Sequence, residues 1–298
     1  MYSMKQIIKT FALVISAFIL SSCEDVVQIK LDEGSKLVVI DAFVNDLRET
    51  QKIRVTNNST YFSTTESPAV TNADVTLIDL TTNKSYPFVY STNGYYTFNV
   101  LPGDTISKVN HLYELRVAVD GVTYKSTMLQ KRTGSIDSIQ VESQVGNGGF
   151  GPPSTDTTYF CNLWAKDKTD ENTDYYWVKA FRNDTLFSAS GDINLAIDGT
   201  NGPVSGVDVD STSFTPPITF LGFKPYQKNN TCKVEIHSIA RETYFFFIQA
   251  SAQINNGGLF ATTPENVKTN IITPSDAKTK AVGWFNMASV ATKSRVVK

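Results

Sequence analysis

Apolar and polar positions alternate through most of the chain beyond residue 36, the two-residue period of half-buried strands. Leu37-Val38-Val39-Ile40-Asp41-Ala42-Phe43-Val44 is apolar and β-branched and ends at a polar turn, Asn45-Asp46. Gln51 to Thr56 sets Ile53 and Val55 on one face, and Ala73 to Leu80 sets Val75 and Leu77 against Thr76, Ile78 and Leu80. Ser85–Tyr90 and Gly94–Val100 flank Asn93-Gly94, and Tyr113–Val119 and Val122–Leu129 flank Asp120-Gly121, the two dipeptides that favour two-residue hairpin turns. Leu101-Pro102-Gly103-Asp104 reads as a further turn. Some seven short strands thus fill residues 36–131, the pattern of an immunoglobulin-like β-sandwich.

Lys131-Arg132-Thr133-Gly134 reads as a join to a second β-rich, sandwich-like unit over 132–298. It opens with the alternating Ile136–Val141, then a Gly- and Pro-dense loop, GNGGFGPP, which excludes regular structure. Thr157–Lys166 and Asp174–Arg182 are aromatic strands, expected to form a hairpin across the charged DKTDEN. Asn183-Asp184 is a turn, and Cys232–Ile239 alternates again. Residues 240–253 lack Gly and Pro and place Tyr244, Phe247, Ile248 and Ala252 on one helical face, so this segment is read as helix. Ala281–Ala288 and Ser294–Val297 are the final strands, giving a mostly β fold with at most one or two short helices.

The N-terminal 22 residues break the alternation. Lys5 and Lys9 precede a nearly continuous apolar run, Phe11 to Leu20, of signal-peptide length and too short for a span of roughly 20 residues. Leu20-Ser21-Ser22-Cys23 follows and resembles the bacterial lipobox, in which the cysteine takes a diacylglycerol and becomes the new N-terminus. Residues 1–22 are therefore expected to be a lipoprotein signal peptide, Cys23 the lipidation site, and 23–35 an acidic tether. Glu24 and Asp25 resemble the acidic signal that sends such proteins to the outer face of an outer membrane.

Charge and composition narrow the chemistry. Without Lys5 and Lys9 the processed chain holds 25 basic residues against 29 acidic ones, and no basic run of five exists, which argues against nucleic-acid binding. Histidine occurs twice, at His111 and His237, neither beside a nucleophile elbow, and each reads as a structural or surface residue. No C-x-x-C or H-E-x-x-H spacing suggests a metal site, and no cofactor motif is present. Asp198-Gly199-Thr200-Asn201-Gly202 and Asp208-Val209-Asp210 loosely resemble calcium loops without the full spacing. The GNGG (146–149) and NNGG (255–258) stretches match no phosphate-binding pattern. Triplets at Asp104-Thr105-Ile106, Asp156-Thr157-Thr158, Asp184-Thr185-Leu186 and Asp210-Ser211-Thr212 resemble a bacterial O-glycosylation pattern. Cys161 and Cys232 remain in the body, either as a disulfide or as two buried thiols. The abundant aromatic residues of the second unit belong mostly to its core, with a minority free to meet a sugar or a protein. No catalytic constellation emerges, and the chain is read as a non-enzyme.

Three stretches together resemble a Bacteroidota family of outer-membrane lipoproteins known only as a domain of unknown function. They are Cys23-Glu24-Asp25-Val26-Val27 with Lys36–Ile40; Gly94-Tyr95-Tyr96 through Tyr113–Val117 with Gly121 and Tyr124; and Asn256–Phe260 with Pro264-Glu265-Asn266, Asn270-Ile271 and Gly283-Trp284-Phe285. Asp41 departs from the pattern, which has glycine in the opening strand. The resemblance spans nearly the whole processed chain. It implies a surface lipoprotein encoded beside a starch-utilisation-type TonB-dependent β-barrel transporter, and serving it as an accessory or ligand-capturing subunit. The alternatives are a stand-alone carbohydrate- or peptide-binding module and a structural or adhesin-like surface protein.

Overall fold

Alternation becomes strand wherever one face can be buried. In the computed structural model, which describes residues 34–60, 63–146, 155–166, 174–197, 218–220, 224–257, 261–263 and 265–298, β1 (Leu37–Asn45) turns Val38, Ile40, Ala42 and Val44 inward. Next to it β2 (Thr50–Asn57) buries Ile53 and Val55. The run continues through β3 (Asp74–Asp79), β4 (Lys84–Tyr90), β5 (Tyr95–Asn99), β6 (Leu112–Val119) and β7 (Val122–Leu129). Hydrogen-bonded neighbours run β1-β2-β5-β4-β3-β6-β7. Strand β4 pairs with β3 from Lys84 to Phe88 but with β5 only at Val89 and Tyr90, so it passes from one sheet to the other. With β4 shared, β1-β2-β5 and β3-β6-β7 follow the strand order of an immunoglobulin sandwich. Asn93 (φ 49°) and Gly94 (φ 80°), and Asp120 (φ 49°) and Gly121 (φ 82°), all take the left-handed conformation that these hairpin turns need.

A second sandwich follows, from β8 (Ser135–Val145), β9 (Thr157–Lys166), β10 (Tyr175–Arg182), β11 (Thr185–Leu186), β12 (Asn194–Ile197), β13 (Ile218–Phe220) and β14 (Thr231–Ile239). After helix α1 (Arg241–Ile254) come β15 (Lys280–Ala288) and β16 (Val290–Val296). One sheet is ordered β13-β9-β8; the other is β11-β10-β14-β16, with β12 also on β10. Cys161, Leu163 and Ala165 from the first meet Tyr176, Val178, Val234 and Ile236 from the second. The hairpin expected between β9 and β10 does not form, because each strand finds its partners in a different sheet. From Val234 to Ile239 every residue of β14 is buried, since this central strand is covered on both faces.

Helix α1 lies on the outer face of β10, burying Tyr244 and Phe247 together with Thr243. Burial of two such rings contributes roughly 1.5–3 kcal/mol each. Ile248, expected on the inner face, is 40% exposed. Thr243 takes that face instead, because its hydroxyl is bonded to Asn286 at 2.9 Å and accepts the Trp284 indole N–H at 2.9 Å.

Strand β15 does not stay with the second sandwich. It runs parallel to β1 over nine residues, from Leu37↔Lys280 to Asn45↔Ala288, and becomes the edge of the first sheet. Gly283 permits the approach: at φ +112° it faces Ile40, and a Cβ there would stand 2.0 Å from the Ile40 carbonyl oxygen. One residue later the chain enters β16, antiparallel to β14 in the other sandwich. Strand β7 ends at Leu129 and β8 begins at Ser135, and the late strands contribute to both sandwiches. Residues Ser35–Lys298 form one compact unit.

Candidate functional site

The residues singled out in the sequence fall in very different places. Cys23, Glu24 and Asp25 lie outside the described residues, as do both calcium-like loops, most of GNGGFGPP, Gly258–Phe260 and Pro264. Among the glycosylation-like triplets, Thr157 and Thr185 are exposed, whereas Thr105 gives its hydroxyl to the Ser107 carbonyl at 2.9 Å; the fourth triplet is not described. His111 is a structural group: its Nδ1 lies 2.8 Å from Asp79, whose carboxylate also accepts bonds from the backbone of Thr81 and Thr82. Burial raises the Asp79 pKa, but these hydrogen bonds outweigh it and hold the carboxyl below its ordinary value.

Cys161 and Cys232 are brought together. Both are buried, unbridged thiols of the second core cluster, and each shifts the ionisation of the other. Cys232, with burial behind it, pushes the Cys161 thiol up.

His237 belongs to a polar cluster on the outer face of the β10–β14 pair. Cross-strand register places Trp177 opposite His237 and Lys179 opposite Glu235. His237 Nε2 is 2.9 Å from Glu235, which also meets Lys233 at 3.3 Å, and the Lys179 ammonium stands 4.1 Å from the Trp177 ring centre. Burial raises the Glu235 pKa, yet its bonds to His237 and Lys233 keep the carboxyl below the usual range. Burial lowers His237 further than Glu235 can restore it, to about 4. The imidazole is thus neutral near pH 7 and donates from Nε2 to an ionised carboxylate. A carboxylate-oriented neutral imidazole is half of a hydrolase triad, but here it is 3% exposed, sealed from any substrate. The adjoining cavity, lined by Trp177, Lys179, Phe187 and Asp192, measures about 160 Å³ and is smaller than ordinary ligand sites. Among the described residues no group of three His, Cys, Asp or Glu side chains could hold a metal.

A larger concavity opens at the end of the first sandwich where the chain enters β1. It measures about 580 Å³, within the range of small-molecule sites. Four remote segments build it: the start of β1, residues 69–72, the β6–β7 turn, and residues 274–279. The Tyr124 hydroxyl donates to the Thr279 carbonyl at 2.9 Å, and Asn72 donates to Asp120 at 3.1 Å, so turn and walls are tied together. Lys36 and Lys278 bring cations to the lining, and Asp120 and Asp276 bring carboxylates. Its one aromatic, Tyr124, is buried and offers no open ring for stacking. Sequence reasoning missed this groove; its sole local signal is the Asp120-Gly121 turn.

Fold and groove together define a mostly β protein of two sandwiches, sharing strands, with a polar concavity at one end. The chain belongs to the family described as domain of unknown function DUF4249, whose model matches residues 24–294. No curated protein and no solved structure matches it.

Proposed function

We propose that this protein is a non-enzymatic lipoprotein on the outer face of a Bacteroidota outer membrane, held by acyl chains on Cys23. It serves a TonB-dependent β-barrel transporter as an accessory or ligand-capturing subunit. The observation that carries the reading is Leu20-Ser21-Ser22-Cys23 behind a ten-residue apolar run, with Glu24-Asp25 directly after it and a β-rich body beginning at Leu37. Two or three acyl chains anchor stably where one would not. The 580 Å³ groove gives such a subunit a place for a polar ligand, and Lys36 on its wall sets it where the chain enters the body. Among the described residues no helix is long and apolar enough to cross a membrane.

The test uses cells of the native host. Mass spectrometry of the purified protein should find an acylated Cys23 at the N-terminus, protease added to intact cells should remove the body, and gentle detergent extraction should recover it with a β-barrel. Cys23→Ala should abolish acylation and surface display. A retained leader or a bare thiol at position 23 would end the anchor, and a free monomer after gentle extraction would end the transporter partnership. The stand-alone binding module is favoured instead if the monomer binds a ligand and substitution of Lys278 and Asp276 on the groove wall weakens it.

A further inference from the structure

Two buried cysteines come from opposite sheets into the core of the second sandwich. Cys161 sits on β9, in the sheet β13-β9-β8, and Cys232 on β14, in the sheet opposite. They are 2% and 0% exposed and belong to one core cluster, to which both sheets contribute. A separate feature fixes the spacing of the sheets at this point. Tyr226 exchanges backbone hydrogen bonds with Tyr159, two residues before Cys161, at 2.8 and 3.1 Å. Its hydroxyl reaches across to the Phe181 carbonyl on β10 at 3.2 Å, beside Arg182, the cross-strand partner of Cys232. The sheets are therefore pinned beside both cysteines, and neither has another cysteine within the body to choose.

We infer that Cys161 and Cys232 are joined in the mature protein by a disulfide that staples the two sheets of the second sandwich. The inference rests on the export proposed above, because disulfides persist in oxidising compartments outside the cytoplasm. The reaction is exchange with a disulfide oxidant of that compartment, a thiol–disulfide oxidoreductase. One thiolate attacks the oxidant's disulfide and forms a mixed disulfide; the second thiolate displaces it. One S–S bond forms in this chain, one breaks in the oxidant, two protons leave the cysteines, and the oxidant departs as a dithiol. Since the folded core excludes both sulfurs from solvent, the exchange belongs to the folding chain, and once closed the bond is shielded from soluble reductants.

Protein from native membranes should be denatured without reductant, blocked with N-ethylmaleimide, digested, and mapped by mass spectrometry. A linked peptide pair carrying Cys161 and Cys232, with neither residue alkylated, is the expected result. Its unfolding midpoint should fall on the order of 10 °C when the protein is unfolded, reduced and refolded in dithiothreitol. C161A/C232A should show no response to reductant. N-ethylmaleimide on both residues would overturn the staple, and so would a wild-type midpoint indifferent to reduction. The same digest reports position 23 separately. Acylated Cys23 with alkylated Cys161 and Cys232 sinks the staple alone, and a linked pair with an unmodified Cys23 sinks the anchor alone.

Discussion

Replacing Gly283 with alanine tests whether a single backbone approach holds β15 in the first sheet. Two costs add. The residue sits at φ +112°, a conformation that costs a side-chain-bearing residue on the order of 1–3 kcal/mol. The new Cβ would also lie 2.0 Å from the oxygen, 2.8 Å from the carbon and 2.9 Å from the nitrogen of Ile40, all backbone atoms that no rotamer can move. Relief requires β15 to retreat from β1 by more than an ångström, which breaks ladder hydrogen bonds worth about 1 kcal/mol each. The sum is roughly 4 kcal/mol, a large part of the 5–15 kcal/mol that stabilises an ordinary domain. Gly103 supplies the control: its φ is +85°, but an added Cβ meets nothing within 4 Å, so G103A should cost only about 1–2 kcal/mol. Guanidinium unfolding of the two variants, followed by near-ultraviolet circular dichroism, should separate their midpoints by roughly 0.5–1 M at a slope near 4 kcal/mol/M. Equal midpoints for G283A and G103A would refute the claim that the Ile40–Gly283 approach positions β15.

Other perturbations probe the buried polar groups. Thr243→Val should cost about 2 kcal/mol by leaving the Trp284 N–H buried without its acceptor, with a matching change in tryptophan fluorescence; a neutral substitution would remove that bond from the account. His237 has a folded pKa of about 4 against 6.5, so the unfolded chain binds the extra proton between those values. Stability is complete above pH 6.5 and should fall by about 3 kcal/mol as pH drops to 4, as urea titrations at pH 7.5, 5.5 and 4.5 would show, with H237Q flattening the slope. Glu235, held below its ordinary range, acts in the same direction at lower pH. Asp79→Ala should cost roughly 2–3 kcal/mol by releasing His111 and the Thr81–Thr82 turn together, read as a lower thermal midpoint.

Local chemistry made much of the architecture legible. Asn93-Gly94 and Asp120-Gly121 announce turns because few other residue pairs accept two left-handed conformations in succession, and both turns appear where the dipeptides stand. Alternation located β1 to β7, and the Gly- and Pro-free stretch located α1, which spans Arg241–Ile254. Pairing over long distances was not legible. Nothing in Lys280–Ala288 says that its partner is Leu37–Asn45, and nothing in the run from Thr157 to Arg182 says that its two strands part into separate sheets. The groove has the same origin: Lys36, Asp120 and Lys278 share a surface only after β15 has docked beside β1 and brought the preceding residues to that end. The Glu235–His237 pair was visible only as alternation in a strand, because burial is what makes that histidine unusual.

The seam at Ser289, where β15 ends in one sandwich and β16 begins in the other, governs the order of assembly. A chain delivered across a membrane with its amino end leading would present β1 some 240 residues before its parallel neighbour arrives. Until then an apolar strand rim stays unguarded, open to pairing with other chains. In any chain that emerges from its amino end, the first sheet is closed last, when Lys280–Ala288 reaches Leu37–Asn45.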